Sequence, residues 1–177
     1  MKKLFAMLSI GGLLMATTTV SAQDKKEDKS KRPSPPALVK QTISSGAAIS
    51  IDYSQPSVKG RTIGKDLEPK DGAVWRTGAN EATVFETSKD VTINGQKLPA
   101  GKYSLFTVTN AGEWTVIFNK TWNQWGAYDY KQADDILRVK ATAAQAATPT
   151  EKFTITIAKD GTVAMLWGTS TATFTVK

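Results

Sequence analysis

Alternation with a period of two constrains this chain more than any other feature. Phe153, Ile155 and Ile157 alternate with Thr154 and Thr156, and Ala172, Phe174 and Val176 alternate with Thr171, Thr173 and Thr175. Such spacing puts apolar groups on one face and hydroxyls on the other in an extended chain but scatters them around a helix, so these segments read as strands half buried in an antiparallel sheet. The same pattern runs through Ile49, Ile51 and Tyr53, through Trp114, Val116 and Phe118, and through Leu137, Val139 and Ala141. β-Branched residues suit such pleated surfaces.

Turn chemistry falls between the runs. Asn94-Gly95 and Asp160-Gly161 both suit the positive φ of a type I′ hairpin, and Pro99-Ala100-Gly101 and Asn110-Ala111-Gly112 supply two more turns. With turns every 8 to 12 residues, the sequence predicts one all-β domain, an antiparallel β-sandwich or flattened barrel of about nine short strands. The alanine-rich stretch Ala141–Thr148 fits either a short helix or a loose edge crossover. Asn119–Asp135 is too long for a turn and carries Trp122, Trp125, Tyr128 and Tyr130; long loops in compact domains are usually functional or disordered, and four aromatics argue against disorder.

The amino-terminal segment reads differently. Lys2 and Lys3, an apolar run from Leu4 to Met15, and then Val20, Ser21 and Ala22, with small residues at the third and first positions before Gln23, resemble a secretory signal peptide over residues 1–22, cleaved after Ala22. The mature protein is expected to be periplasmic or secreted, with no transmembrane segment. Residues 23–40, rich in charge and proline, are expected to be a disordered basic linker, leaving residues 41–177 as the folded domain. The formal charge of +7 is misleading, because from Gln41 onward fifteen basic residues face thirteen acidic ones. No basic stripe interleaved with aromatics occurs there, so nucleic acid is not an expected partner.

The chain has no histidine and no cysteine. Disulfides, Ser-His-Asp and Cys-His catalysis and a conventional zinc site are therefore excluded. Phosphate-binding glycine loops, dinucleotide fingerprints and EF-hand loops are also missing, so neither a cofactor nor a metal is expected. The remaining enzymology is carboxylate chemistry, for which Asp52, Glu81, Glu86, Asp129, Asp134 and Asp135 are the candidate acids.

Two stretches concentrate polar and aromatic groups. In VWRTGANEAT, Val74–Thr83, a hairpin with Thr77–Asn80 as its loop would let Arg76 pair with Glu81 across the strands, with Gly78 relieving the backbone and Asn80 bonding nearby main chain. The stretch is then a structural clasp. Alternatively, Arg76, Asn80 and Glu81 face a polar ligand with Trp75 as the wall. In the aromatic loop, Trp122, Trp125 and Tyr128 either stack on sugar faces or fold inward to cap an open end of the sandwich.

Six runs in order, YSQPSVKGRTIG, VWRTGANEAT, LPAGKYSLFT, EWTVIFNK, WNQWGAYDY and ILRVK, resemble the bacterial family known as domain of unknown function 2911, over roughly Ala37 to Lys177. The resemblance implies an exported protein and places Trp75, Arg76, Gly78, Asn80, Glu81, Trp125, Gly126 and Tyr128 in signature stretches. It implies no reaction, cofactor or catalytic residue. The expected function is non-catalytic binding of an envelope glycan or other polar ligand through Trp75, Arg76, Asn80, Glu81, Trp122, Trp125 and Tyr128. The alternatives are a structural partner in an envelope assembly and a carboxylate-based hydrolase.

Overall fold

The computed structural model describes residues 27–177. The signal peptide expected over residues 1–22 lies outside the described residues. Nine strands follow one another: β1 Pro36–Thr42, β2 Ala48–Ser54, β3 Thr83–Thr87, β4 Val91–Ile93, β5 Gln96–Leu98, β6 Gly101–Asn110, β7 Glu113–Asn119, β8 Asp135–Ile157 and β9 Thr162–Thr175. Seven form one antiparallel sheet in the order β1-β2-β3-β6-β7-β8-β9, and β4-β5 form a small second sheet. Asn94 N donates to Thr175 O, and Thr92 and Lys177 exchange main-chain bonds, so β4 continues the ladder past the end of β9.

The alternation sets which face is buried. Ile49, Ile51 and Tyr53 of β2, Phe85 of β3, Trp114, Val116 and Phe118 of β7 and Phe174 of β9 share one apolar core, while Ser50, Asp52, Thr115, Thr173 and Thr175 lie on the other face. The sheet curls into a half-barrel around this core. Its two sides meet where Phe153 N donates to Pro56 O and Ile155 N donates to Tyr53 Oη, 3.0 Å away. Phe153 packs edge-on against Tyr53, Trp75 and Trp167, with ring centroids 5.0–6.0 Å apart. A smaller cluster of Ala82, Phe106 and Ile117 lies apart from the main core.

The expected all-β architecture and nine strands are present, with three corrections. First, the strands are not uniformly short: β8 has 23 residues and β9 has 14. The alanine-rich stretch is neither helix nor crossover but part of β8, which pairs with β9 through Gln145↔Ser170 and resumes at Thr150↔Gly168. The extra residues between these pairs accommodate Pro149, which cannot donate to a ladder.

Second, the linker expected over residues 23–40 is folded where it is described. Lys29–Lys31 form a 3-10 turn, and β1 begins at Pro36. Composition suggested a tether, but Arg32 has both a carboxylate and an indole to settle on, as described below. Third, Asn94-Gly95 has positive φ at both residues, as a type I′ turn requires, and so does Ala111-Gly112. At Asp160-Gly161 only the glycine does. Asp160 instead accepts a hydrogen bond from Thr162 N, and Ala158 N reaches Thr162 O.

Candidate functional site

The stretch Val74–Thr83 is tied inward almost group by group. Trp75 exchanges two main-chain hydrogen bonds with Thr107 at 2.8 and 2.9 Å, is 2% exposed, and donates its indole N–H to Gly78 O at 2.9 Å. Thr77 has a φ of 54°, which β-branched residues strongly disfavour. Its neighbours hold it there: its hydroxyl lies 3.2 Å from that of Thr107, and Thr83 Oγ1 donates to its carbonyl at 2.7 Å. Gly78 is required by space as well as by its φ of 157°, since a Cβ would lie 2.9 Å from Ser54 O.

The segment is therefore not the expected hairpin with Arg76 opposite Glu81. Thr83 N bonds Arg76 O, while Glu81 bridges to Trp125. Arg76 Nη1 donates to Asn80 O at 3.0 Å, and Asn80 Nδ2 donates to Ser34 O at 2.9 Å. Glu81 accepts from Lys29 Nζ at 2.7 Å and from Arg32 Nη1 at 2.8 Å. Turning at Thr77–Asn80, with positive φ at Thr77, Gly78 and Asn80, rotates Glu81 away from Arg76 toward the amino-terminal segment. Burial alone would raise the Glu81 carboxyl, but the hydrogen bonds from Lys29 and Arg32 outweigh it and hold the group below the ordinary carboxylate range.

The aromatic loop joins this clasp. Ala82 N donates to Gln124 O, and Gly126 N donates to Asn80 O, so the two signature stretches meet along a short antiparallel contact. Buried Asn119 fastens the loop at both ends: Nδ2 donates to Lys131 O and Asp135 Oδ1, and Oδ1 accepts from Thr121 N. Tyr130 packs on Phe106 with ring centroids 5.1 Å apart and donates its hydroxyl to Asp135 at 2.6 Å. Burial, followed by that hydrogen bond, pushes the Tyr130 phenol up to about 12.

Ala127 and Tyr130 thus cover the smaller core, and the other aromatics do not fold inward. Trp122 is 43%, Trp125 50% and Tyr128 80% exposed. The Lys102 ammonium stands 5.2 Å from the Trp122 ring centroid, and the Arg32 guanidinium 5.6 Å from that of Trp125.

These groups border two separate hollows. A cleft of about 290 Å³ is lined by Lys29, Asp52, Glu81, Val84, Trp122 and Gln124, among others. A smaller hollow of about 210 Å³ is lined by Arg61, Trp75, Arg76, Gly78, Ala79 and Trp167, among others. Glu81 and Trp122 therefore share one cleft, Trp75 and Arg76 share the other, and Asn80, Trp125 and Tyr128 line neither.

Two acceptors in the larger cleft have no protein partner among the described residues. Asp52 makes no ion pair and is exposed at the cleft's edge, yet partial desolvation by its surroundings raises its carboxyl; Lys29 opposes this and Glu81 adds to it. Gln124 Oε1 is buried without a hydrogen bond, while its Nε2 is engaged by Thr121 O. Sequence reasoning left Lys29 and Gln124 out of the site and treated Asp52 only as one acid among six. Asp52 was readable as the polar alternate between Ile51 and Tyr53, whereas nothing local marks Lys29, which sits in linker-like composition.

Among the described residues no three His, Cys, Asp or Glu side chains come together in a way that would hold a metal, and no helix is long and apolar enough to cross a membrane. No curated protein and no solved structure matches the chain. The model of one family, described as protein of unknown function (DUF2911), matches residues 34–176, the whole of the sheet and both signature stretches, and the chain belongs to that family.

Proposed function

We propose that the protein is a non-catalytic binding module for a hydroxyl-rich ligand, an envelope glycan, which it meets after export to the periplasm or beyond. The observation that carries this reading is the larger cleft: a partly exposed indole, Trp122, beside two acceptors without protein partners, Asp52 and Gln124 Oε1. An indole face covers the apolar face of a sugar ring, and unpaired acceptors suit its hydroxyl donors. Gln124 Oε1 is buried, where an unmatched acceptor is costly, so a donor that reaches it gains affinity; the exposed Asp52 exchanges water for the ligand's hydroxyls. Glu81 supports recognition rather than turnover, because both its oxygens are engaged, one by Lys29 and one by Arg32.

A second reading rests on the same cleft. Asp52 with a raised pKa and Glu81 with a lowered one form a pair of carboxyl groups whose environments push them apart, the pattern of an acid and a base in glycoside hydrolysis. For Glu81 to act on water or on a sugar carbon, it must first lose Lys29 and Arg32. Tryptophan fluorescence titrated with a panel of cell-wall and plant oligosaccharides separates the outcomes. Saturable change with the oligosaccharide recovered intact supports binding, recovery of cleaved sugar supports hydrolysis, and flat curves across the panel remove both.

A further inference from the structure

The smaller hollow points to a different ligand chemistry. Arg61 and Arg76 both line it, and neither has a carboxylate within ion-pair distance among the described residues. Arg61 bonds main-chain oxygens of Ser57 and Val58, at 2.7 and 3.2 Å, and Arg76 uses Nη1 on Asn80 O. Arg76 is half-buried. A guanidinium carries five N–H donors and never loses its charge, and a partly desolvated charge without a counter-ion is unfavourable.

Glu68 also lines the hollow, but its carboxylate, which accepts from Lys70 N at 2.9 Å, stands beyond ion-pair distance of both guanidiniums, so each keeps donors to offer. The walls are fixed: the indole of Trp75 donates to Gly78 O and that of Trp167 to Glu68 O, so neither indole N–H is free for a ligand. The unspent donors of the hollow are therefore cationic, whereas the unspent groups of the larger cleft are acceptors.

We propose that this hollow is an oxyanion site in which Arg76 and Arg61 hold a carboxylate or phosphate group. Planar forks of N–H donors match the oxygens of such groups in pairs. The site is independent of the larger cleft and stands or falls apart from the glycan reading.

Isothermal titration of the full chain with sodium glucuronate, inorganic phosphate and neutral glucose tests it. Saturable binding of either anion, weakened by added salt, with none for glucose, is the expected result, and the anion that binds more tightly identifies the source. Arg61→Gln, at an exposed position, is expected to weaken binding about tenfold with only a small drop in the melt from its lost bonds to Ser57 O and Val58 O, and Arg76→Gln to weaken binding by more. Arg76→Lys keeps the charge but loses the fork, so it falls between wild type and Arg76→Gln. Trp122→Ala is expected to leave anion binding unchanged. Absence of saturable binding by both anions, or binding unaffected by Arg61→Gln and Arg76→Gln, overturns the proposal.

Discussion

The stretches Val74–Thr83 and Trp122–Tyr130 are built from similar residues and touch each other, yet they have opposite fates. In the first, the indole is buried, its N–H is spent on Gly78, and the threonine hydroxyls bond main chain. In the second, Tyr130 and Ala127 are spent on packing, while Trp122, Trp125 and Tyr128 remain in solvent. An aromatic-rich motif is therefore not one kind of object. What separates a clasp from a contact surface is whether its polar edges already have partners, and that is set by where the chain turns.

The comparison is broken most sharply by removing one indole from each stretch. Trp75→Ala deletes a core side chain packed against Phe153 and Trp114, with an expected loss of about 3–5 kcal/mol in urea unfolding. Trp122→Ala is expected to change stability by under about 0.5 kcal/mol while abolishing glycan binding. Equal losses in the two variants would erase the distinction. Gly78→Ala comes next. Its added Cβ meets Ser54 O at 2.9 Å and the backbone is at positive φ, so a loss of about 2 kcal/mol or more is expected.

Glu81→Gln has a smaller effect. The side chain is 38% exposed, so solvent screening holds the loss from its two ion pairs below about 1 kcal/mol, on the order of 2–4 °C in a melt. The effect depends on pH. Because the Glu81 carboxyl is depressed on folding, its contribution is present above the ordinary glutamate value of about 4.3 and is lost as pH falls through the folded value. Asp52 has the opposite sign: its pKa is raised by partial desolvation, so its exposed charged form carries a small, solvent-screened cost, fully present above the folded value and relieved as pH falls through it. Stability profiles should therefore show Glu81→Gln flattening the acid limb below about pH 4, and Asp52→Asn removing the cost at neutral pH. Tyr128→Ala, at 80% exposure, is expected to leave the melt unchanged.

How much of this was legible follows from the range of the forces involved. Strands with one buried face announce themselves through local alternation, as in Phe153–Ile157, because the register of apolar groups is written residue by residue. Asn94-Gly95 announced its hairpin for the same local reason. The clasp was half legible: its closing role was readable, but the Arg76–Glu81 pairing was not what forms. The backbone turns at Thr77, a residue that propensity would never place at positive φ.

The segment Glu27–Pro35 was illegible altogether. Its charged residues read as a solvated tether, and only the three-dimensional approach of Glu81 and Trp125 gives Lys29 and Arg32 a place to dock. The cleft was missed as a unit for the same reason, since Asp52, Glu81 and Gln124 lie far apart in sequence and share a wall only after the sheet curls.

The five tryptophans of the chain provide the most direct test, because each indole N–H gives its own signal in a heteronuclear NMR spectrum. During titration with a neutral oligosaccharide that the fluorescence panel selects, the account predicts that the Trp122 indole signal moves to saturation. The signals of Trp75 and Trp167, bonded to Gly78 O and Glu68 O, should stay in place. Movement of Trp75 with Trp122 unmoved would contradict the account, as would a spectrum in which no indole moves.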